Sequence, residues 1–195
     1  PETTELLRKI RAELMELFGP GKYFHIGCDE ADSYGTCDRC SGQDRNALLK
    51  NYLNSICEEL AAVGRRPIIW GDMMLDSTKF KAPNTAYSTP QVRTHEILPD
   101  LDRRIVIADW QYNLTEGEAV TSQFFKEQGF DVMPASFDVD ENVKLLCREA
   151  DSKKLFGYLC TTWNRATERP RMMSMASEMS WSGANQRVIT DDIVY

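Results

Sequence analysis

The sequence lacks any run of about 18 apolar residues, the length a membrane-spanning helix requires. It also lacks blocks of basic residues, because its 23 lysines and arginines are spread along 195 residues and are outnumbered by 30 acidic ones. The formal net charge of -7 and the absence of a basic stripe argue against nucleic acid and other polyanions as partners. The first residues form an amphipathic helical pattern, which is not a secretory signal peptide. We therefore expect no membrane and no nucleic-acid partner.

Metal ligands are also scarce. Cys37 and Cys40 form a Cys-x-x-Cys in a polar loop, but the chain has no second such pair and only two histidines. We expect no metal, while a local disulfide and two plain loop thiols both stay open for this pair. The remaining cysteines lie in apolar segments and are predicted to be reduced and buried; they are Cys28, Cys57, Cys147 and Cys160.

What the sequence does have is an alternation of short apolar strands with amphipathic helices, which is typical of a parallel sheet built from βα units. With 42% hydrophobic and 27% charged residues, residues 1–195 are predicted to form one globular α/β domain. The periodicity predicts helices over Thr3–Leu17, Arg45–Val63, Glu116–Gln128, Glu141–Ala150 and Arg171–Trp181. It predicts strands over Tyr23–Cys28, Pro67–Trp70, Arg104–Asp109, Phe130–Ala135 and Leu155–Thr161.

Two adjacent carboxylates follow the first predicted strand. Side chains alternate along residues 23–30, so His25 and Asp29 share a polar face while Ile26 and Cys28 share an apolar one. In a parallel barrel the polar face would turn toward the axis, and Asp29 and Glu30 would lie at the carboxyl end of the strand. An isolated Asp-Glu pair at such a place more often caps a helix.

The wider motif resembles glycoside hydrolase family 20. His25, Gly27, Asp29 and Glu30 match that family's His-x-Gly-x-Asp-Glu in order and spacing. Three later segments each end a predicted strand and carry a tryptophan, as the family does at its sugar-binding aromatics. They are Ile-Ile-Trp-Gly-Asp-Met at 68–73, Ala-Asp-Trp-Gln-Tyr at 108–112 and Thr-Thr-Trp at 161–163.

The resemblance covers essentially the whole chain and implies a (β/α)8 TIM-type barrel, of which residues 1–195 supply roughly strands four to eight. The N-terminal strands of the catalytic barrel, with the family's sugar-binding arginine, would then be missing. Five strands do not close such a barrel, which typically needs about 250 residues. We therefore expect the exposed sheet edges to pack against the missing half or a second copy, and we expect weak or no activity from these residues alone.

The resemblance implies a retaining exo-β-N-acetylhexosaminidase that works by substrate-assisted catalysis on terminal β-linked N-acetylglucosamine or N-acetylgalactosamine. The 2-acetamido group of the substrate would act as the nucleophile and form an oxazolinium intermediate. Glu30 would be the acid and base, and Asp29 would orient the acetamido group. No metal and no cofactor are implied. A non-catalytic sugar-binding or scaffold protein on the same barrel is the alternative, and a metal or redox module at Cys37 and Cys40 is a third.

The remaining candidate residues would bind the sugar. Trp70, Trp110 and Trp163 are predicted to form apolar walls for the pyranose, although a single strand tryptophan is more often a core residue. Tyr112 is predicted to donate its hydroxyl to the acetamido oxygen.

Two polar candidates have ordinary alternatives. Asp72 is expected to bind a sugar hydroxyl or to hold the neighbours of Glu30, with a loop cap as the simpler reading. His25 is expected one layer below the carboxylates, where it could equally be a core histidine. Trp181 is expected to be a packing residue.

The chain departs from the family in two places. Residues 135–138 read Ala-Ser-Phe-Asp where many members carry a Trp-Tyr pair, and Asn164 and Arg165 follow Trp163 where an acidic residue is common, with Glu168 further on. The preference between gluco and galacto sugars therefore stays open. The glycosylation sequon at Asn113 adjoins the expected pocket and is predicted to be unused, which favours a cytoplasmic or bacterial setting.

Overall fold

The computed structural model describes residues 2–31, 33–163 and 170–181. Its helices are α1 (Glu2–Phe18), α2 (Arg45–Ala61), α3 (Val120–Glu127), α4 (Asp140–Ser152) and α5 (Pro170–Trp181). Its strands are β1 (Tyr23–His25), β2 (Arg66–Trp70), β3 (Val106–Trp110), β4 (Asp131–Phe137) and β5 (Leu159–Thr161). Two short 3-10 helices, Asp72–Met74 and Thr94–Asp100, lie between β2 and β3. The alternation predicted from periodicity is confirmed, with shifts at the ends of several elements.

The strands form one parallel sheet in the order β1-β2-β3-β4-β5, so each strand pairs with the next one along the chain. The sheet curls as a half-barrel with helices in the connections, and the predicted partial α/β barrel is confirmed at this level. Since all strands are parallel, their carboxyl ends meet at one edge. Residues that follow different strands, such as Glu30, Trp70 and Trp163, are thereby brought together.

The main core lies between the sheet and the helices α2 and α3. Ile69 of β2 and Ile107 of β3 are fully buried there with Leu53 of α2 and Phe125 of α3. Gly71, at the end of β2, has to be small, because a Cβ would lie 2.8 Å from Ile107 Cγ2 and 2.9 Å from Phe125 Cε2. Close packing of the sheet against α3 therefore requires a glycine at this position.

The first strand ends earlier than predicted. Gly27 and Cys28 have φ values of 74° and Glu30 has 47°, so the backbone leaves the extended region after His25. Pairing with β2 nevertheless continues, because Gly27 O accepts from Trp70 N at 2.9 Å. Cys28 still packs against the main core, as the alternation predicts.

The connection from β2 to β3 runs over the carboxyl edge of the sheet before it enters Thr94–Asp100. Its segment 84–88, here called the 84–88 loop, is held by backbone hydrogen bonds: Tyr87 N donates to Asp72 O at 2.8 Å and Ser88 N donates to Leu75 O at 3.1 Å. No sequence pattern predicts the position of this loop.

The N-terminal side of the molecule is thinly packed. Arg11 is the buried residue of α1, and its guanidinium pairs with Glu59 of α2 at 2.5 Å. Leu6 and Leu17 of the same helix are exposed. Within the described ranges, no strand pairs with the outer edge of β1 or of β5. In the same part of the chain, none of the helices combines the length and apolar character needed to cross a membrane.

Candidate active site

A cavity of about 310 Å³ opens at the carboxyl edge of the sheet. Five of the eight predicted site residues line it: Asp29, Glu30, Trp70, Trp110 and Trp163. They come from the turn after β1 and from the ends of β2, β3 and β5. This volume lies at the lower end of the range for small-molecule sites, which begins at roughly 300 Å³. The structure therefore brings together residues that are up to 134 positions apart, from Asp29 to Trp163.

The backbone of Glu30 is fixed by a buried carboxylate. Glu30 N donates to Asp72 Oδ2 at 2.9 Å, and this bond holds the residue in a left-handed conformation that a glutamate rarely adopts. The Glu30 side chain is exposed, while neighbouring Asp29 is half-buried. Strain of this kind at a non-glycine residue concentrates at functional sites.

Asp72 joins two elements of the site. Its side chain is 1% exposed, and its second oxygen, Oδ1, accepts from Trp110 Nε1 at 3.0 Å. Burial raises the pKa of Asp72 to about 6, although the hydrogen bonds from Glu30 N and Trp110 oppose this. Both carboxylate oxygens of Asp72 are therefore occupied by protein donors, one of which is the backbone of Glu30.

His25 does not line the cavity but packs against Trp70, with ring centroids 4.6 Å apart and an interplanar angle of 56°. Its Nδ1 accepts from Gly27 N at 3.1 Å, which leaves the proton of the neutral ring on Nε2. Partial burial lowers the pKa of His25, and the charge of Asp29 opposes that shift. His25 as a whole is exposed to solvent.

Trp70 and Trp163 form one aromatic wall. Their ring centroids are 5.8 Å apart at an interplanar angle of 34°. Trp70 is buried at 8% exposure, whereas Trp163 is 54% exposed and has a φ of 49°. The sequence departures at Asn164, Arg165 and Glu168 lie outside the described residues, as does the side chain of Trp181.

Tyr112 extends the other wall. Its ring is 5.1 Å from Trp110 and 5.3 Å from Phe137. Its hydroxyl lies 3.1 Å from Thr161 Oγ1, and Thr161 Oγ1 lies 2.7 Å from Ser136 O. Because Thr161 has a single hydroxyl hydrogen, it donates to one of these two oxygens at a time. Burial raises the pKa of Tyr112. Tyr112 does not line the 310 Å³ cavity itself, but it is attached to it through Trp110.

Sequence reasoning did not predict Tyr87, which contacts a residue of the cavity lining. Tyr87, in the 84–88 loop, stacks on Trp110 with centroids 5.9 Å apart and an interplanar angle of 25°. The Glu30 side chain beside its hydroxyl raises the pKa of Tyr87. No motif or strand end marks Tyr87, so the sequence carried no signal for it.

A second buried network supports that loop. Gln111 is fully buried, and its amide binds both backbone groups of Thr85: Oε1 accepts from Thr85 N at 2.7 Å and Nε2 donates to Thr85 O at 3.3 Å. Nε2 also donates to Asp109 Oδ1 at 2.7 Å. Asp109 Oδ2 accepts from Thr121 Oγ1 at 2.7 Å and Ser122 Oγ at 2.6 Å. Burial raises the pKa of Asp109.

The Cys-x-x-Cys lies in a turn away from this network. Cys40 N donates to Cys37 O at 2.9 Å, and both cysteines are free thiols. A hydrogen bond between the thiols lowers the pKa of Cys37 and raises that of Cys40. Within residues 2–31, 33–163 and 170–181, no group of three or more His, Cys, Asp or Glu side chains is arranged to hold a metal ion.

A second cavity, of about 270 Å³, lies between β5 and α5. Its described lining includes Tyr158, Cys160 and Ser177 but no carboxylate or tryptophan. The carboxylate-bearing cavity is therefore the better candidate for chemistry.

Comparison with known proteins gives one family. The sequence model described as Glycosyl hydrolase family 20, catalytic domain, matches residues 1–184. No curated protein matches the chain.

Solved structures are similar at low identity. A β-N-acetylhexosaminidase from Bacteroides fragilis NCTC 9343 shares 16% identity and a TM-score of 0.56, with 96% of this chain and 42% of that chain covered. An inactive mutant of an exo-β-N-acetylglucosaminidase from Vibrio harveyi shares 15% and a TM-score of 0.55, with 94% and 33% covered. Dispersin B shares 12% and a TM-score of 0.48, with 92% and 56% covered. The first two likenesses concern the fold, and the chain spans about a third to just over half of the three structures.

Proposed function

The chain belongs to glycosyl hydrolase family 20, and from that premise we propose that it supplies the catalytic carboxylates of a retaining exo-β-N-acetylhexosaminidase. Its substrate would be a glycan ending in β-linked N-acetylglucosamine or N-acetylgalactosamine. One observation carries this proposal: Asp29 and Glu30 share a cavity with Trp70, Trp110 and Trp163. Carboxylates beside flat apolar walls suit the chemistry and the shape of a pyranose.

In the first step, the acetamido oxygen of the substrate attacks its own anomeric carbon. The bond from that carbon to the glycosidic oxygen breaks, and Glu30 gives its proton to the departing oxygen. Asp29 accepts the acetamido N–H and stabilises the positive charge that develops in the oxazolinium ring. The products of this step are the free alcohol and the bound oxazolinium.

In the second step, the Glu30 carboxylate takes a proton from water, and the water oxygen attacks the anomeric carbon. The oxazolinium ring opens and the acetamido group is restored. Glu30 ends protonated, as it began. Two inversions at one carbon give net retention.

The other residues would bind and orient the sugar. Trp70 and Trp163 would stack on its apolar face, and Trp110 with Tyr112 would enclose the acetamido group. Asp72 would keep Glu30 in place through its backbone, which is a positioning role. His25 would support Trp70 from below.

We propose that β1 to β5 correspond to the fourth to eighth strands of the barrel. In that arrangement the open edges of the sheet and the exposed side of α1 would be covered by the other strands of the barrel. Without those strands the cavity would lack part of its wall, and Glu30 and Trp163 are exposed. The activity proposed here is therefore that of the full-length protein.

The test is hydrolysis of 4-nitrophenyl N-acetyl-β-glucosaminide and its galacto isomer by the full-length protein. Glu30→Gln should lower kcat/KM by on the order of 10³-fold, because general acid catalysis is lost. Asp29→Asn should lower it to a similar degree, and a thiazoline that mimics the oxazolinium should compete with substrate. Glu127→Gln, at an exposed position of α3, is the matched control and should retain full activity.

Equal activity of Glu30→Gln and the wild type would refute the assignment of the acid. Binding of the sugar without turnover by the wild type would instead favour a non-catalytic sugar-binding protein on the same barrel.

A further inference from the structure

Hydrogen bonds from a buried side chain and from the neighbouring backbone hold the 84–88 loop in place. Gln111 binds both the N–H and the carbonyl of Thr85, and Tyr87 N donates to the backbone of Asp72 at 2.8 Å. Buried hydrogen bonds of this kind fix a backbone because leaving any of them unmade costs free energy. Tyr87 is thus presented from a fixed segment although its side chain is 41% exposed.

Two contacts then place the Tyr87 side chain. Its ring stacks on Trp110 at an interplanar angle of 25°, which places its hydroxyl beside the Glu30 side chain. Trp110 in turn donates to Asp72, whose other oxygen holds Glu30 N. Glu30 is therefore held at its backbone by Asp72, and the Tyr87 hydroxyl lies beside its side chain.

We infer that Tyr87 is a positioning residue for Glu30, whose hydroxyl orients the carboxyl group and whose ring extends the wall formed by Trp110. The inference rests on the proposed role of Glu30 as acid and base. Glu30 is exposed and its side chain has several rotatable bonds, so without a fixed donor its carboxyl group would sample many orientations. A donated O–H on one oxygen leaves the other oxygen to carry the proton to the leaving group.

The hydroxyl is removed by Tyr87→Phe, which keeps the stacked ring. With N,N'-diacetylchitobiose, whose leaving group needs a proton, kcat/KM should fall on the order of 10-fold. With 2,4-dinitrophenyl N-acetyl-β-glucosaminide, whose leaving group departs unassisted, it should fall less than about 2-fold. A residue that merely stabilised the fold would affect both substrates equally.

Tyr23→Phe is the matched control, because Tyr23 is 40% exposed and lies at the opposite end of β1. It should leave kcat/KM for both substrates unchanged.

The contact can also be tested without turnover. In protein labelled at tyrosine ¹³Cζ, the Tyr87 resonance, identified by its loss in Tyr87→Phe, should titrate at lower pH in Glu30→Gln than in wild type. An unmoved titration, or equal losses on both substrates, would overturn the inference. If the wild type turns over no amino sugar, the proposed function fails; if Glu30→Gln is inactive while Tyr87→Phe behaves as wild type, only the role of Tyr87 fails.

Discussion

Two buried aspartates, one after β2 and one within β3, are used in opposite ways. Asp72 is 1% exposed and Asp109 fully buried, and burial raises the pKa of both. Asp72 accepts from Glu30 N and Trp110 Nε1, both of which belong to the cavity lining. Asp109 accepts from Thr121 and Ser122 of α3 and from Gln111, away from the cavity.

The contrast separates a carboxylate that shapes the site from one that holds the scaffold. The direction in which each side chain leaves the sheet decides its use, since neighbouring positions at a strand end face opposite sides. The two cases can be told apart by whether a substitution changes activity or stability.

The largest effect is expected from Asp109→Ala, which leaves three buried donors without their acceptor. The free energy of unfolding should fall by about 3 kcal/mol, measured by urea denaturation. In protein that remains folded, kcat/KM should fall no further than in Tyr87→Phe. Asp109 can affect the cavity only indirectly, because it contacts Gln111, which holds the 84–88 loop. Asp109→Asn, which keeps the volume and one acceptor, should lose less stability. If Asp109→Ala instead lost most of its activity with unchanged stability, Asp109 would not differ in role from Asp72.

The next largest effect should come from Asp72→Asn, this time on activity. One of the two donors loses its acceptor and Glu30 shifts, so kcat/KM should fall on the order of 100-fold. The pKa of folded Asp72, about 6, is raised above its ordinary value of 3.8. Any stability from this group is therefore fully present below pH 3.8 and is lost as pH rises through about 6.

As pH rises from 4.5 to 7.5, the wild type should therefore lose stability relative to the Asp72→Asn variant. Denaturation of both proteins at the two pH values measures this difference. The wild type should also lose activity as pH falls through about 6, because the proton displaces one donor, and the variant should lack this limb. Equal pH dependence of the two proteins would contradict the assignment.

A smaller effect is expected from Trp110→Phe, which removes one donor to Asp72 and keeps most of the ring. We expect a decrease in kcat/KM of about 10-fold. The acidic limb assigned to Asp72 should move to higher pH, because a hydrogen bond favouring the ionised form is lost. Trp70→Phe also alters the cavity wall and is the control whose acidic limb should stay in place.

Sequence reasoning predicted the elements well where periodicity decides them. Tertiary contacts changed the ends: α3 begins at Val120 and not at Glu116, since Gly117 has a φ of 83° and Ala119 N is bound by Glu149 at 2.9 Å. Likewise β5 begins at Leu159 and not at Leu155.

For the site, the residues at strand ends could be predicted because parallel strands bring those ends together. Tyr87 could not, because it is placed by a loop without periodicity whose position depends on Gln111. The left-handed backbone conformation of Glu30 and Trp163 could not be predicted either. In residues other than glycine this conformation is imposed by contacts distant in sequence. The assignment of roles to these residues stays a prediction.

The cavity draws on both ends of the sheet, since Asp29 and Glu30 follow β1 while Trp163 follows β5. A ligand that contacts both can bind only when every strand between them is paired. Binding and assembly of the sheet are therefore linked equilibria: a ligand at 100 times its Kd would add about 2.7 kcal/mol to the stability of all five strands together. Ligand-induced protection from hydrogen exchange should accordingly extend to β3, at the centre of the sheet, as well as to the residues that touch the sugar.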